Sequence, residues 1–563
     1  MFRKSKKYKQ LSVLGSTNIL LDDKVLKDFN NDKKWNNVFR IQVTERIDEE
    51  LFRPLFCENN GAPNASIRLL IAMMILKEAR GWSDSQLFEN AQYNLLVRSA
   101  LGLPNFDESI PAASTYYLLR KRIVDREIAG LSNLMEDVFA SITKSQLLEF
   151  NIDGSKIRMD STLMGSNIAW NTRYELIHET LRMAYKGAKK QIDKFLSEKD
   201  INILKQLSAE SSENVSFRSS KAELESKLIR LGSIIYAIVK NTQNKSIKAL
   251  AILHQVFSEQ YEIINEVALP LPKQAIKANS IQSPHDPDCD FRQKGGTDVK
   301  GYTINVCETC DKSNDVNLIT DVQVEPASHS DIEFFQPAIE NTQELLPQKI
   351  ETVNADGAYY SSINQDYCTE NGIDFITHGI QGEEPRYLLS FDEDGVLQAF
   401  DTKTNTLRIG RKPNSNKPDS TLKWVIYDEN NKRRYFTESA IINSLARQQI
   451  SNRPREDLER RNNVEATIFQ LCYHYLRKKS RYRGLIKHKI WAYARCLWVN
   501  FVRIMKNIIK DSPVLAQNIK RPILSWHILF INAIFEIIMR FIKIFDVAFP
   551  KLCLNVGLGK MAF

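Results

Sequence analysis

No stretch of the 563-residue sequence is apolar for long enough to cross a membrane as a helix. The most apolar tract, Pro522–Phe549, is interrupted by Glu536, Arg540, Lys543 and Asp546. Its longest charge-free run, Pro522–Phe535, falls short of the ~20 residues a spanning helix needs. A buried or partner-facing C-terminal helix is expected there instead. No apolar core follows the basic start, so no secretory signal is read. The eight cysteines are scattered through a large chain, which fits a reducing compartment better than a disulfide framework. No Gly-rich phosphate loop with a following Lys is found, so ATP dependence is not indicated. Acid is missing from one long segment: residues 471–510 hold eleven Lys or Arg and no Asp or Glu. The first ten residues hold five more basic side chains. Both are candidate phosphate-contacting surfaces, with a solvated helix face and a loose tail as the plainer alternatives.

The length points to two to four domains. The apolar fraction of 43% supports a sizeable core, and the net charge of +9 permits a polyanionic partner. Residues from about 35 to 145 read as helix. Ser66–Gly81 has a capping serine, an apolar stripe and a closing glycine, and Ser83 and Gln86 are spaced as a capping box. A third helix begins near Ser114. This set fits a helix-turn-helix-type DNA reader or a plain bundle. A strand follows at Lys156–Thr162, then a long polar helical stretch over 172–266. Alternating strands at Gly301–Glu308 and Asn317–Glu325, a helix over Asp331–Leu346, and strands ending at Asp356 and His378 come next. Residues 380–445 read as a small β insertion, and the chain returns to helix from about 453. The order predicts a mixed α/β core with helices against a sheet.

Two of these strands end in aspartate, Asp160 in "IRMDSTLMGSNIA" and Asp356 in "VNADGAYYS". A third acid, Glu465, lies on a helix whose stripe Val464, Ile468, Leu471 and Tyr475 is set to face the sheet. Arg461 is one turn before it. Alone, Asp160 reads as a turn starter and Glu465 as an ion-pair partner of Arg461. Together the three acids suit Mg²⁺ or Mn²⁺, which need few protein ligands when phosphate supplies the rest. In a two-ion arrangement Asp160 would bridge both ions, Asp356 serve one and Glu465 the other. Arg461 would hold a phosphate or orient Glu465. "KSRYRGLIKHKIWAYAR" interleaves basic and aromatic residues and is the leading DNA-contact segment, with Lys478, Lys479, Arg481, Arg483, Lys487 and Lys489. Cys307 and Cys310 form an isolated CxxC without a second pair. The acids of "HDPDCDF" (His285–Phe291) read as a turn rather than a metal site.

In order, these segments resemble bacterial insertion-sequence transposases of the DDE class, which have an RNase H-like catalytic core and an N-terminal helical domain. "RMDSTLMGSNIA" is similar to the first-aspartate motif and "VNADGAYYS" to the second. "RNNVEATIFQLCYHYLRKKSRYRGL" is similar to the glutamate helix. The resemblance implies Asp160, Asp356 and Glu465 as the metal-binding triad. Leu458 and Cys472 stand where relatives often have a tyrosine and a lysine; the Arg477–Lys479 cluster is an alternative phosphate holder. The expected fold is an RNase H-like mixed sheet with flanking helices, an N-terminal all-α domain, a helical insert after the first strand and a small β insert before the last catalytic helix. The corresponding divisions are a DNA-binding domain at 1–145, a core assembled from 146–170, 280–380 and 450–510, a helical insert at 171–279, a β-rich insert at 381–449 and a helical tail at 511–563. The implied activity is cleavage of DNA at the ends of an insertion sequence and joining of the 3′-OH ends to target DNA, with two Mg²⁺ or Mn²⁺ ions. The implied partners are terminal inverted repeats, target DNA and a second copy of the chain, in a bacterial cytoplasm at the nucleoid. A nuclease that cuts without joining and an inactive DNA-binding derivative are the alternatives.

Overall fold

The computed structural model describes residues 1–5, 16–242, 247–377, 379, 385–412, 423–454 and 462–510. The chain divides into two units, 1–501 and 502–563. Seven helices come first: α1 (Asp23–Phe29), α2 (Trp35–Gln42), α3 (Ile67–Arg80), α4 (Asp84–Tyr93), α5 (Leu95–Ala100), α6 (Ala113–Ile128) and α7 (Leu134–Glu149). Strand β1 (Lys156–Gly165) is followed by α8 (Arg173–Ile192), α9 (Glu198–Ala209), α10 (Ser212–Arg218), α11 (Lys221–Asn241) and α12 (Lys248–Gln260). A hairpin of β2 (Tyr261–Ile264) and β3 (Val267–Pro270) closes this insert. Then come β4 (Asp290–Lys294), β5 (Thr297–Thr309), β6 (Ile319–Pro326), α13 (Asp331–Leu345), β7 (Thr352–Ala355), α14 (Ser362–Asn371) and β8 (Asp374–Thr377). Strands β9 (Tyr387–Phe391), β10 (Leu397–Asp401), β11 (Thr406–Ile409), β12 (Lys423–Tyr427) and β13 (Arg433–Thr437) lead into α15 (Glu438–Asn452). Helices α16 (Asn462–Cys472) and α17 (Leu485–Lys510) follow; the described part of the second unit, 502–510, is the end of α17.

Strand β1 is the centre of a six-stranded sheet, and its inner eight residues are all buried. β5 pairs with it antiparallel from Ile157↔Thr309 to Gly165↔Gly301. On the far edge of β5, β6 runs antiparallel along Tyr302–Glu308 and β4 along Thr297–Gly301. On the other side of β1, β7 and then β8 run parallel. The order β6–β5–β1–β7–β8, antiparallel for three strands and parallel for two more, is RNase H-like. Helix α13 covers one face, where Ser161 Oγ donates to Asp331 Oδ1 at 2.8 Å. β1 runs three residues further than the alternation suggested, because β5 continues beside it.

Two hairpins escaped the sequence reading. β4 is polar and without alternation, and pairing with β5 makes it a strand. Gly295 and Gly296, at φ of 58° and 74°, turn the chain between them as a tight hairpin requires. The β2–β3 hairpin likewise turns on Asn265 and Glu266, both at positive φ.

The N-terminal caps are as the sequence indicated. Ser66 caps α3, Gly81 closes it in the left-handed conformation, and Ser83 with Gln86 forms a capping box on α4. Helix α3 is buried over almost its whole circumference, as an all-round apolar helix must be. A buried guanidinium ties its end to the core. Arg495 on α17 donates to the carbonyls of Glu78 at 2.9 Å and Ala79 at 3.2 Å on α3, and to Leu471 O at 2.9 Å on α16. Carbonyls at helix ends lack partners within their own helix, and this one cation satisfies four of them, Gln470 O on α16 included.

The helices after β1 enclose their own core, built on Ile177, Leu181, Leu231, Ile235, Leu250 and Leu253. Residues 387–412 and 423–452 form a small separate core around Leu389, Leu397, Trp424, Ile426 and Ile441.

Candidate active site and its basic flank

The parallel pairing of β1 with β7 runs Lys156↔Thr352, Ile157↔Val353, Arg158↔Asn354. Two residues on, β1 carries Asp160, and Asp356, still extended, is the first residue past the end of β7. Since side chains alternate between faces, both aspartates stand level, on the face that carries Arg158 and Asn354. Asp160 is buried, and its Oδ1 accepts from the N–H of Ser161 at 2.8 Å. Asp356 is half-buried, with Oδ1 accepting from the N–H of Gly357 at 2.5 Å. Each carboxylate is thus turned by the N–H of the next residue. The charge of Asp160 also reaches the buried Tyr359. Its phenol is pushed far up, first by burial and then by Asp160 and Asp331.

Helix α16 lies over the same face. Arg158 and Glu308, paired across β1 and β5, form a buried ion pair with an N–O separation of 2.5 Å. The other Glu308 oxygen accepts from Thr467 Oγ1 at 2.8 Å. Val464, Ile468 and Leu471 are buried as the stripe pattern indicated. Glu465 is in the first turn of α16 and exposed. One and two turns on, Phe469 and Tyr473 are 66% and 60% exposed and meet edge to face at 5.9 Å. The sheet therefore brings two of the three acids together. Among the described residues no group of three or more His, Cys, Asp or Glu side chains is set to hold a metal ion. Arg461 and Leu458 lie outside the described residues.

The basic segment after α16 is stitched to the chain that follows the Asp160 strand. Lys478, in the left-handed region at φ 50°, donates to Thr162 Oγ1 at 2.8 Å, two residues along from Asp160 on its face. Lys479 pairs with Gly165 as an isolated bridge and donates from Nζ to Ile168 O at 2.9 Å. Arg483 Nε donates to Asn167 O at 2.6 Å, and Arg481 to Trp82 O at 3.0 Å. Lys489 is ion-paired with Glu127 at 3.4 Å, and Lys487 is exposed. Cys472, at the family's lysine position, is buried, while Lys478 reaches the aspartate face from six residues further on.

The acids of the "HDPDCDF" segment serve as structural acceptors. Asp286 takes hydrogen bonds from Tyr302 at 2.6 Å and from Ser166. Asp288 accepts from Leu485 N at 3.3 Å and Asp290 from Ser328 N at 2.8 Å. The Arg158–Glu308–Thr467 link was missed from sequence. Its one signal is a charged residue at an inward position of each of two buried strands.

Among the described residues no helix is long and apolar enough to cross a membrane. Residues 25–122 match the family model described as transposase domain (DUF772), and residues 278–501 match the transposase DDE domain. The second match contains Asp356 and Glu465; β1 and Asp160 fall between the two. No curated protein and no solved structure matches the chain. The helical N-terminal match, the RNase H-like sheet and the DDE match agree. The chain belongs to the insertion-sequence transposases of the DDE class, enzymes that act on DNA.

Proposed function

We propose that this transposase binds the ends of its own insertion sequence, cuts DNA strands there and joins the freed 3′-OH ends to target DNA, as a dimer that pairs two ends. The observation that carries the reading is the strand register that sets Asp160 level with Asp356 on one face under α16. Two oxygen-donor carboxylates, without His or Cys in the triad, fit hard divalent cations such as Mg²⁺ or Mn²⁺. Asp160, Asp356 and Glu465 would hold them. Such ions, when bound, activate the attacking hydroxyl and stabilise the leaving oxygen.

The rest falls to the chain itself. The buried Arg158–Glu308 pair and Thr467 fix α16, with Glu465 in its first turn, over the aspartate face. Lys478 beside Thr162 offers a cation to a phosphate lying on that face. The exposed Arg481, Arg483 and Lys487 extend the positive surface away from it.

The test uses purified protein, Mg²⁺, DNA carrying the element's ends, and a target plasmid. The unaltered chain yields strand cuts and joined products. Asp356→Asn loses both while keeping affinity for the ends. Cleavage surviving in Asp356→Asn would remove the site assignment, and cuts without joined products would make the enzyme a nuclease.

A further inference from the structure

Two adjoining cavities lie between α3, α6 and the segment running from Arg481 into α17. They share Arg120, Tyr482 and Lys487. The inner one, about 350 Å³, is walled by Tyr116, Tyr117, Tyr482 and Trp491. The outer cleft, about 580 Å³, is lined by five cations, Lys77, Arg120, Arg481, Arg483 and Lys487, and a single acid, Asp84. Asp84 is already paired with Lys77 at 2.5 Å. Arg481 and Arg483 donate to backbone carbonyls, which uses donors without cancelling charge. Arg120 and Lys487 have no carboxylate ion-pair partner among the described residues. Arg120 is instead held between two rings, 5.6 Å from the centroids of both Tyr116 and Tyr482. Glu78 also lines the inner cavity, where Tyr475 (2.7 Å) and Tyr482 each donate to one of its oxygens and its charge favours the Arg120 cation.

Five cations against one acid leave the outer cleft with a net positive charge, even with Lys77 paired to Asp84 and Arg120 in the field of Asp84 and Glu78, and that charge suits a polyanion. A phosphate chain alone does not explain the aromatic chamber beside it. Flat rings next to a basic track are what an unstacked nucleobase needs, since every base offers a face for stacking whatever its identity. We propose that the outer cleft holds the phosphate backbone of a DNA strand and the inner cavity receives one unpaired base from it. The inference rests on the reading of this chain as one that handles cut DNA strands, and it places a second contact away from the carboxylates. Asp160 and Gly165, where the basic segment joins β1, are separated by five residues of strand, roughly 17 Å at 3.3–3.4 Å per residue. The captured base would therefore lie several nucleotides from the bond that is cut.

The test is binding without chemistry: Asp356→Asn protein in EDTA, followed by fluorescence anisotropy. The probes are a blunt duplex, the same duplex with a short 3′ single-stranded extension, and the same extension built from abasic nucleotides. The base-bearing extension should bind about tenfold tighter than the abasic one, the scale of one stacked base. In that background Arg120→Gln and the more exposed Tyr117→Ala should each remove most of the difference. Lys240→Gln on α11 should leave it intact. Equal affinity for both extensions, or a preference that survives Arg120→Gln and Tyr117→Ala, overturns the base pocket. Equal weakening of all three probes by Arg120→Gln assigns the cleft to phosphate alone and overturns it as well. Because nothing is cut in this assay, a base preference found beside a failed cleavage assay would count against the proposed reaction only.

Discussion

The six-stranded sheet and the helical insert after β1 are both well buried, yet they bury opposite kinds of side chain. The insert encloses a core of Leu, Ile, Val, Ala and aromatic residues. Its buried polar groups lean on nearby backbone: His178 Nε2 meets Leu207 O at 2.6 Å, and Thr180 donates to Leu176 O at 2.7 Å. The sheet buries Arg158, Asp160, Asn305, Glu308, Asp321 and Asn354 among its strands. A buried charge costs several kcal/mol unless it is paired or hydrogen-bonded. The sheet carries that cost, and the insert avoids it. The contrast is between these two regions and not a rule for the chain, since Glu49 and Arg98 in the N-terminal helices and Asp401 in the β insertion are buried as well.

The sharpest break between the regions is Asp356→Asn. Strand cleavage should fall by at least roughly 10²–10³-fold, the scale for losing one preorganised electrostatic group. Thermal unfolding should barely move, because the change relieves charge and keeps the acceptor for Gly357 N. A large drop in melting temperature would mean that Asp356 is a structural residue. Glu308→Ala should do both kinds of damage. It strips the carboxylate from the buried Arg158 and releases Thr467, so about 3–5 kcal/mol of stability should be lost. Replacing both members together, Arg158→Met with Glu308→Leu, should recover most of the stability in denaturant melts. Activity should stay low in the double variant, since the tie that positions α16 is still missing. Full recovery of cleavage would show that the pair only fills space.

Much of the sheet and its flanking helices was legible because the signals are local. The apolar stripe of α16 orients Val464, Ile468 and Leu471, and Asp356 stands just past the end of β7 as expected; Asp160, read as ending its strand, lies in the middle of β1 because β5 continues beside it to Gly165. The caps at Ser66, Gly81 and Ser83 are likewise short-range chemistry. What stayed hidden depends on partners far apart in sequence. β4 is a strand only because β5 lies beside it. Arg158, Glu308 and Thr467 meet only after 150 and more residues of intervening chain have folded away. The cavity shared by Tyr116, Arg120 and Tyr482 joins helices from opposite ends of the compact unit, and no periodicity announces it. Lys478 was read as a DNA contact, but its reach to Thr162 follows from a left-handed turn that a pair of basic residues does not advertise.

In the insert, Leu253→Ala should cost about 2–5 kcal/mol, since Leu253 is fully buried and its removal leaves a cavity. Cleavage per folded molecule, measured well below the new melting temperature, should stay within twofold or so, within the roughly 0.5 kcal/mol by which distant sites stay independent. A selective loss of cleavage at full folding would tie the insert to the chemistry and dissolve the contrast.

The smallest effect refines the contrast from within the sheet. Asp321 on β6 is buried and lies outside the proposed site. Burial pushes its carboxyl up to about 7, against the hydrogen bonds from Gln323 and Asn341 that favour the charged form. In the unfolded chain the group ionises near 4. The folded protein thus holds this proton more tightly than the unfolded one, and its contribution to stability is complete below about pH 4. That contribution declines as pH rises toward 7 and is gone above it, a loss bounded at roughly 4 kcal/mol. Asp321→Asn removes the titration. Its unfolding free energy relative to the unaltered chain should therefore improve between pH 5 and pH 8 in urea melts, with cleavage at fixed pH unchanged. If the difference between the two proteins is flat across that range, Asp321 is ionised in the folded state, and the sheet tolerates buried charge beyond the needs of its site.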